Sequence, residues 1–162
     1  MSAVRAIPEG YHSITPSIVC KGAARAIDFY KQVFHAKELS RMNGPGGTVG
    51  HAELQIGDSR LMLSDEFPGM ANAPGEKPHT CSALHIYTDN VDALYDRAVK
   101  AGCKVEQPLQ NQFWGDRYAK VRDPFGHAWG LGQRVEEVTP AEMERRAAAW
   151  MSQMAKAAGS HG

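Results

Sequence analysis

The sequence lacks both an excess of charge and a long apolar run. Its 162 residues contain 18 Lys+Arg and 18 Asp+Glu, so the formal net charge is zero. Nucleic-acid binding needs clustered cations that replace phosphate counterions, so this balance argues against a nucleic-acid partner. No apolar run approaches the roughly 18 residues of a membrane span, which argues against a membrane partner. The composition is otherwise that of a globular domain.

Cysteine is also scarce, and its spacing is uninformative. The three residues Cys20, Cys81 and Cys103 form no Cys-x-x-Cys pair, which argues against a zinc knuckle, a redox motif or a disulfide framework. The first ten residues have no apolar segment of the kind found in signal peptides. We therefore expect reduced, mostly buried thiols and a cytoplasmic location.

Two common catalytic signatures are missing as well. The glycine cluster at 44–47 precedes a strand pattern, whereas a phosphate-binding loop precedes a helix with Lys. There is no Gly-x-Ser-x-Gly nucleophile elbow. The sequence therefore offers no standard nucleotide-binding or serine-hydrolase motif.

The spacing of apolar residues instead alternates between the period of a strand and the period of a helix, and this alternation occurs twice. Helical patterns cover 23–34 and 91–101, the second with Asp89 or Asn90 as its N-cap. The loop 67–78 between the halves holds three prolines and two glycines. Strand patterns cover 13–20, 37–42, 49–56, 60–64, 81–88, 104–107, 112–121 and 128–133. The order is thus βαβββ, loop, βαβββ, which predicts an α+β fold.

The two halves form a repeat of pattern, and a further helix follows them. A shift of 68 residues aligns both strand–helix units with few identities, and each half has an apolar sheet face that must share a core. A helix is predicted at 139–158, with Thr139 as N-cap, Pro140 at N1 and Glu142 at N3. Its apolar stripe packs on the domain or on a second subunit: Met143, Ala147, Trp150, Met151 and Met154.

Two segments, AIDFYKQVF at 26–34 and DPFGHAW at 123–129, carry a family resemblance. They resemble the vicinal oxygen chelate superfamily, which includes glyoxalase I, extradiol dioxygenases and the bleomycin- and fosfomycin-resistance proteins. HAEL at 51–54 and FWGDR at 113–117 are similar to the PhnB-like branch of the glyoxalase/bleomycin resistance family. The resemblance implies paired βαβββ modules in the glyoxalase/bleomycin-resistance/dihydroxybiphenyl-dioxygenase fold over residues 10–136. The halves are about 10–66 and 80–136, and a helix and tail occupy 137–162.

The resemblance also implies four positions for metal ligands, on the first and last strand of each half. In this sequence they are Thr15, Met62, Ala83 and Gly130. None offers the imidazole or carboxylate of a typical divalent-metal site. We therefore expect no family metal site and no cofactor, although a displaced site built from His51, Glu53 and His85 is an alternative.

The last strand pattern has small residues on one face. By the strand period of two, Ala128, Gly130 and Gly132 share a face, and Trp129 and Leu131 point the other way. The space above the small residues holds either a bulky neighbour or a ligand. Since the resemblance places the ligand cup on this face, we favour a ligand cavity.

Two histidines are candidate catalytic residues. His85 lies two residues after Ala83, so it is on the face of the ligand cup together with Tyr87. It is either a general base or an anion-binding group, or else a core histidine whose hydrogen bonds are made within the protein. His51 and Glu53 alternate on one face of their strand, so they can reach one ligand. Tyr87 and Glu53 are therefore predicted ligand-binding residues.

The segment Phe113-Trp114-Gly115-Asp116-Arg117 is the strongest local signal. Phe113 and Trp114 are predicted to form an aromatic wall, and Arg117 to bind a carboxylate or phosphate. The alternative is a surface pair between Arg117 and Asp116 beside packed aromatics. Two other acidic segments are assigned structural roles: 123–126 as a turn and Asp65-Glu66 as a loop cap.

Three functions follow from these residues. The favoured one is a homodimeric protein that binds a small hydrophobic or aromatic molecule in a cup between its modules, without metal. A second is a metal-dependent lyase or isomerase of glyoxalase type. The third is a metal-free acid–base enzyme that uses His85 or His51.

Overall fold

The computed structural model describes residues 7–67, 69, 71–75 and 82–159. The chain folds as two βαβββ modules and a final helix, which confirms the predicted α+β class. A turn of 3-10 helix, Pro45–Gly47, precedes β3. The elements are β1 (Ser17–Val19), α1 (Ala23–Phe34), β2 (Lys37–Asn43), β3 (Val49–Ile56), β4 (Ser59–Ser64), β5 (Ala83–Tyr87), α2 (Val91–Lys100), β6 (Lys104–Asn111), β7 (Asp116–Arg122), β8 (Ala128–Arg134) and α3 (Pro140–Gly159).

The two modules have the same sheet topology. The strand orders are β1-β4-β3-β2 and β5-β8-β7-β6, with the first and last strand of each module parallel and the other neighbours antiparallel. The helices begin 68 positions apart, at Ala23 and Val91. Ser17 pairs with Met62, as His85 pairs with Gly130. The predicted repeat is therefore confirmed in backbone register.

Contacts divide the chain into two compact units, which are described separately. The first comprises residues 1–81 and the segment Asp123–His127, and the second comprises 82–122 and 128–162. The loop between β7 and β8 thus packs with the first unit, although it lies in the second half of the sequence.

In the first unit a distant carboxylate caps α1. Gly22 precedes this helix with φ 90°, and no side chain at that position caps it. Asp65 Oδ1 accepts the N–H groups of Gly22 and Ala23 at 2.9 and 2.8 Å, and Oδ2 accepts that of Val49 at 2.8 Å. The prediction that Asp65 caps its own loop is wrong, because its partners lie far away in sequence; Glu66 does cap it, through Ala73 N at 3.0 Å.

The turn at 123–127 has the predicted chemistry and an additional anchor. Asp123 Oδ1 accepts the N–H groups of Phe125 and His127, both at 2.9 Å. Its Oδ2 accepts the Tyr30 hydroxyl at 2.7 Å, and His127 Nε2 lies 3.0 Å from the Val19 carbonyl oxygen. Burial raises the pKa of the neighbouring Cys20 to about 12, so this thiol stays protonated.

The second unit packs α2 on one face of its sheet. Asn90 is the N-cap, since its Oδ1 accepts Ala93 N at 3.1 Å. The buried residues of this core alternate along the strands and recur on the helix: Val91, Leu94, Ala98, Ala119, Val121, Trp129 and Leu131. Since successive residues of a strand point to opposite faces, the strand residues between these buried ones lie on the face of the sheet away from α2.

Three strand boundaries differ from the predictions by four residues each. β1 begins at Ser17 and not at 13, because Pro16 lacks an N–H group, although its carbonyl accepts Met62 N. β7 begins at Asp116 and not at 112, because Gly115 turns the chain with φ 94°. β6 continues to Asn111 as an edge strand with register shifts, which is where a proline such as Pro108 is tolerated.

The C-terminal helix forms as predicted. The backbone N–H of Glu142 lies 3.3 Å from Thr139 Oγ1, in agreement with the predicted N-cap. Trp150 packs on Phe113 with ring centroids 5.6 Å apart, whereas Met151 is exposed; the side chain of Met154 lies outside the described residues. Among the described helices, none is both long and apolar enough to cross a bilayer.

Candidate functional site

The face of the second sheet away from α2, here called the open face, carries most of the predicted site residues. Trp129 and Leu131 are buried toward α2, so Gly130 and Gly132 point the other way. This confirms the predicted parity of the last strand. The open face consists of Ala83, His85, Tyr87, Asp116, Tyr118, Lys120, Arg122, Ala128, Gly130, Gly132 and Arg134.

Rings from neighbouring strands lie over the two glycines of β8. A Cβ atom at Gly130 would lie 2.9 Å from His85 Nδ1 and 3.0 Å from the Tyr118 hydroxyl. A Cβ atom at Gly132 would lie 2.7 Å from His85 Nε2. The imidazole therefore spans both glycines. The favoured ligand cavity directly above the small residues is wrong, because the protein's own rings take the volume next to the backbone.

These rings form one aromatic surface, here called the aromatic cluster: His85, Tyr87, Trp114 and Tyr118. The centroid of His85 is 4.5 Å from that of Tyr87 and 5.5 Å from that of Tyr118, with which it stacks. Trp114 meets Tyr118 edge-on at 5.7 Å. Tyr87 is 61% exposed, so the cluster presents ring surface for a ligand to stack on.

Asp116 forms hydrogen bonds with two rings of the aromatic cluster. Only 2% of this residue is exposed. Its Oδ2 accepts the Tyr87 hydroxyl at 2.8 Å and Trp114 Nε1 at 3.1 Å, and its Oδ1 accepts Arg134 Nε at 3.1 Å. The hydrogen bond to Asp116 raises the pKa of Tyr87. Asp116 is thus satisfied by three donors and positions two of the four rings.

Two polar groups of the cluster have hydrogen-bonding capacity left. Within the described part of the chain, neither the His85 imidazole nor the Tyr118 hydroxyl makes a hydrogen bond. Partial burial lowers the pKa of His85, and the nearby charge of Asp116 opposes this without cancelling it. The lowered pKa favours the neutral imidazole, which has one N–H donor and one acceptor nitrogen.

The turn before β7 places Trp114. Gly115 has φ 94°, and a Cβ atom there would lie 2.5 Å from the Glu136 carbonyl oxygen, so only glycine fits. Arg146 of α3 donates to the Phe113 carbonyl at 3.3 Å and pairs with Glu136 at 2.7 Å. Phe113 is covered by α3, and it supports the turn while Trp114 faces Asp116.

Arg117 is on the opposite face of β7. Its Nη2 and Nε atoms bind the Asp92 carboxylate of α2 at 2.6 and 2.8 Å. Neighbours along a strand point to opposite faces, so Asp116 and Arg117 are separated by the sheet. The structure therefore does not bring Arg117 to the cluster, and the alternative pairing of Arg117 with Asp116 is wrong.

His51 and Glu53 belong to the first unit. They share a strand face as predicted, with His51 Nε2 3.5 Å from Glu53 Oε1. Glu53 pairs in register with Met62, on the side of β3 away from buried Leu54. The Tyr11 hydroxyl, and after it His51, lower the pKa of Glu53. This pair forms a polar patch beside Tyr11.

The four positions implied for a metal do not fit a divalent ion. Ala83 and Gly130 have no side-chain donor atom, and a Cβ atom at Gly130 would lie 2.9 Å from His85 Nδ1 and 3.0 Å from the Tyr118 hydroxyl. Met62 offers a thioether and Thr15 a hydroxyl, neither of which is a typical ligand of a hard ion. In the described ranges, no three His, Cys, Asp or Glu side chains lie close enough to hold a metal.

The sequence interpretation missed Asp116, Tyr118, Lys120 and Arg134 as site residues. All four follow from one signal, which is strand parity. They lie on β7 and β8 at positions that share a face with Gly130 and Gly132. The predicted strand 112–121 has the same parity, because its start differs from that of β7 by four residues, but the sequence interpretation did not apply parity to this strand.

The chain belongs to the glyoxalase/bleomycin resistance protein/dioxygenase superfamily, whose family model matches residues 11–131. The uncharacterized protein Mb0911c of Mycobacterium bovis is 42% identical over 136 residues, which are 82% of this chain and 90% of that protein. TioX from Micromonospora has a similar structure, with a TM-score of 0.62 and 29% identity over 77% of this chain and all of that one. The PhnB protein from Bacillus cereus shares the fold, with a TM-score of 0.60 at 19% identity over 75% of this chain and 99% of that one.

Proposed function

We propose that this protein binds a small, flat hydrophobic or aromatic molecule on its aromatic cluster, without a metal ion. One observation carries the proposal: four rings converge on the open face, and buried Asp116 holds two of them in place. Aromatic pairs contribute about 0.5–1.5 kcal/mol each beyond the burial of area, so a flat ring stacked on two of them is selected over a flexible chain. The homodimer and the cup shared by both modules remain predictions.

The test is an NMR titration of the labelled protein with naphthol, a neutral flat probe. We expect shift changes confined to the aromatic cluster and the rest of the open face, led by the indole N–H of Trp114. Tyr118→Ala should weaken binding about tenfold, the effect of losing one buried aromatic contact. Tyr95→Ala on α2 is the matched control, because it removes the same side chain from outside the open face.

Shift changes centred outside the second unit would overturn the proposal, and this readout needs no variant. Equal affinities of wild type and Tyr118→Ala, with both proteins folded by their NMR spectra, would overturn it as well. Metal analysis of protein purified without an affinity tag tests the metal-free part. Stoichiometric nickel, zinc or iron bound to side chains would contradict that part.

A metal-free acid–base enzyme is the second candidate. It is supported by His85, whose lowered pKa favours the neutral base, which has no hydrogen-bond partner among the described residues, and which lies beside the Tyr118 hydroxyl. In such a reaction the imidazole would accept a proton from carbon next to a carbonyl of the bound ligand, and the electron pair would pass to the carbonyl oxygen. Tetralone in deuterated water tests this: enzyme-dependent α-proton exchange that His85→Gln abolishes would favour it, and buffer-level exchange would reject it.

A further inference from the structure

A basic residue lies across Gly130 from His85. Gly130 on the central strand β8 pairs with His85 on one side and with Lys120 on the other. In-register partners on adjacent strands share a face, so all three belong to the open face. Gly130 has no side chain, and the His85 and Tyr118 rings lie over its backbone.

The charges around Lys120 leave its ammonium group weakly engaged. Glu106 is held by Arg122 through two nitrogens, with Nε at 2.6 Å and Nη2 at 2.5 Å. The Nζ atom of Lys120 is 3.4 Å from Glu106 and its side chain is 38% exposed. Both Arg122 nitrogens contact Oε1 at short distance, which makes a stronger pair than the longer, solvated contact of Lys120 with Oε2. Lys120 can therefore turn to another anion at little cost.

The other charges of the open face do not favour a cationic ligand. Asp116 already accepts three hydrogen bonds, one of them from Arg134, and is almost fully buried. Its charge is thus compensated before any ligand arrives. The Tyr118 hydroxyl, which can donate, reaches the space above Gly130 beside Lys120.

We infer that the ligand of the open face is an aromatic acid, a flat ring that carries a carboxylate or a similar anionic group. This inference rests on the proposed function and specifies its ligand class. The ring stacks on the aromatic cluster. The anionic group lies near Gly130, where it accepts hydrogen bonds from the Lys120 ammonium and the Tyr118 hydroxyl.

The experiment compares naphthoate with naphthamide, which has the same ring and a neutral group of similar shape. In wild type at low salt, naphthoate should bind about tenfold more tightly, the gain of one charge-assisted hydrogen bond. In Lys120→Met the ratio of the two affinities should fall to about one, because naphthoate loses a charge-assisted hydrogen bond and naphthamide at most a neutral one. Lys100→Met on α2 is the matched control, and Lys120→Arg should keep the preference.

The outcomes separate this inference from the proposed function. If naphthamide binds the aromatic cluster but naphthoate has no advantage, or if Lys120→Met keeps the advantage, the inference is wrong and the proposed function stands. If neither probe shifts the resonances of the cluster, the proposed function itself is wrong. Raising the salt concentration provides a second readout, since it should weaken only the binding of naphthoate.

Discussion

Asp65 beside the first sheet and Asp116 in the second are both buried, but they hold partners of different kinds. Asp65 accepts three backbone N–H groups, at the start of α1 and the start of β3. Asp116 accepts three side chains, two of which belong to the aromatic cluster. The first carboxylate therefore fixes the path of the chain, and the second fixes the orientation of rings that are exposed to a ligand.

The same contrast appears at the paired central positions of the two sheets. In the first, Ser17 on β1 faces Met62 on β4; in the second, His85 on β5 faces Gly130 on β8. Each pair combines one large and one small side chain, but the order is reversed. Packing requires only that the summed volume fit, so one backbone accepts both arrangements. The reversed order lets the His85 ring lie over β8.

The largest effect is expected for Asp65→Ala. It leaves three N–H groups without an acceptor, so the free energy of unfolding should fall by about 4 kcal/mol in a urea titration. Glu66→Ala is the control; it removes an exposed carboxylate that holds a single N–H, and should cost less than about 1 kcal/mol. The affinity of the folded variant for naphthol should not change, and a weakened affinity would contradict the division of roles.

Asp116→Ala should have a smaller effect on stability and a larger one on binding. Its Arg134 partner is half-exposed and can be rehydrated, so we expect a loss of about 2 kcal/mol in unfolding free energy. The Kd for naphthol should rise at least about tenfold, because Tyr87 and Trp114 lose their anchor. Asp92→Ala removes the partner of Arg117 on the other face and should leave the Kd unchanged. An intact Kd in Asp116→Ala would show that the rings orient themselves.

Replacing His85 and Gly130 by the side chains of Ser17 and Met62 tests whether the large and the small residue of the pair can exchange strands. Gly130→Met places a side chain where His85 and Tyr118 lie, so unfolding free energy should fall by about 2 kcal/mol through overpacking. Adding His85→Ser recreates the Ser17 and Met62 combination and should recover most of that loss. Both variants should lose naphthol binding. Strictly additive free energies in the double-mutant cycle would contradict complementary packing.

The smallest effect concerns pH. Partial burial lowers the pKa of His85 in the folded state, so the unfolded chain, with its ordinary pKa of about 6.5, binds the proton first as pH falls. The contribution of His85 to the free energy of unfolding is thus complete above about pH 6.5 and declines below it. Between pH 7 and pH 5, wild type should lose more unfolding free energy than His85→Gln. An equal or smaller loss would show that His85 is not desolvated.

Sequence patterns predicted helices and turns well where interactions between residues a few positions apart determine the structure. Helix α1 has the predicted bounds, and the Gly57-Asp58 hairpin joins β3 to β4 as expected. The parity of β8 was also predicted, because a strand places alternate residues on opposite faces whatever surrounds it. The errors arose at Pro16 and Gly115, where a single backbone property shortens a strand.

The site could be predicted only in part. His85, Tyr87 and Trp114 were identified and lie together, whereas Arg117 is separated from them because it follows Asp116 on the strand. The role of Asp116 could not be read from the sequence, since its partners lie 29, 2 and 18 residues away and only the strand pairing collects them.

By itself the sequence determined the repeated βαβββ order, the helices and the small-residue face of β8, since periodicity, capping and turn residues act over a few positions. The tertiary structure alone decided that the rings of His85 and Tyr118 lie over Gly130, that Asp116 anchors the cluster, and that Lys120 lies across from His85. These relations depend on the pairing of β5, β7 and β8, which brings together residues that no local pattern connects.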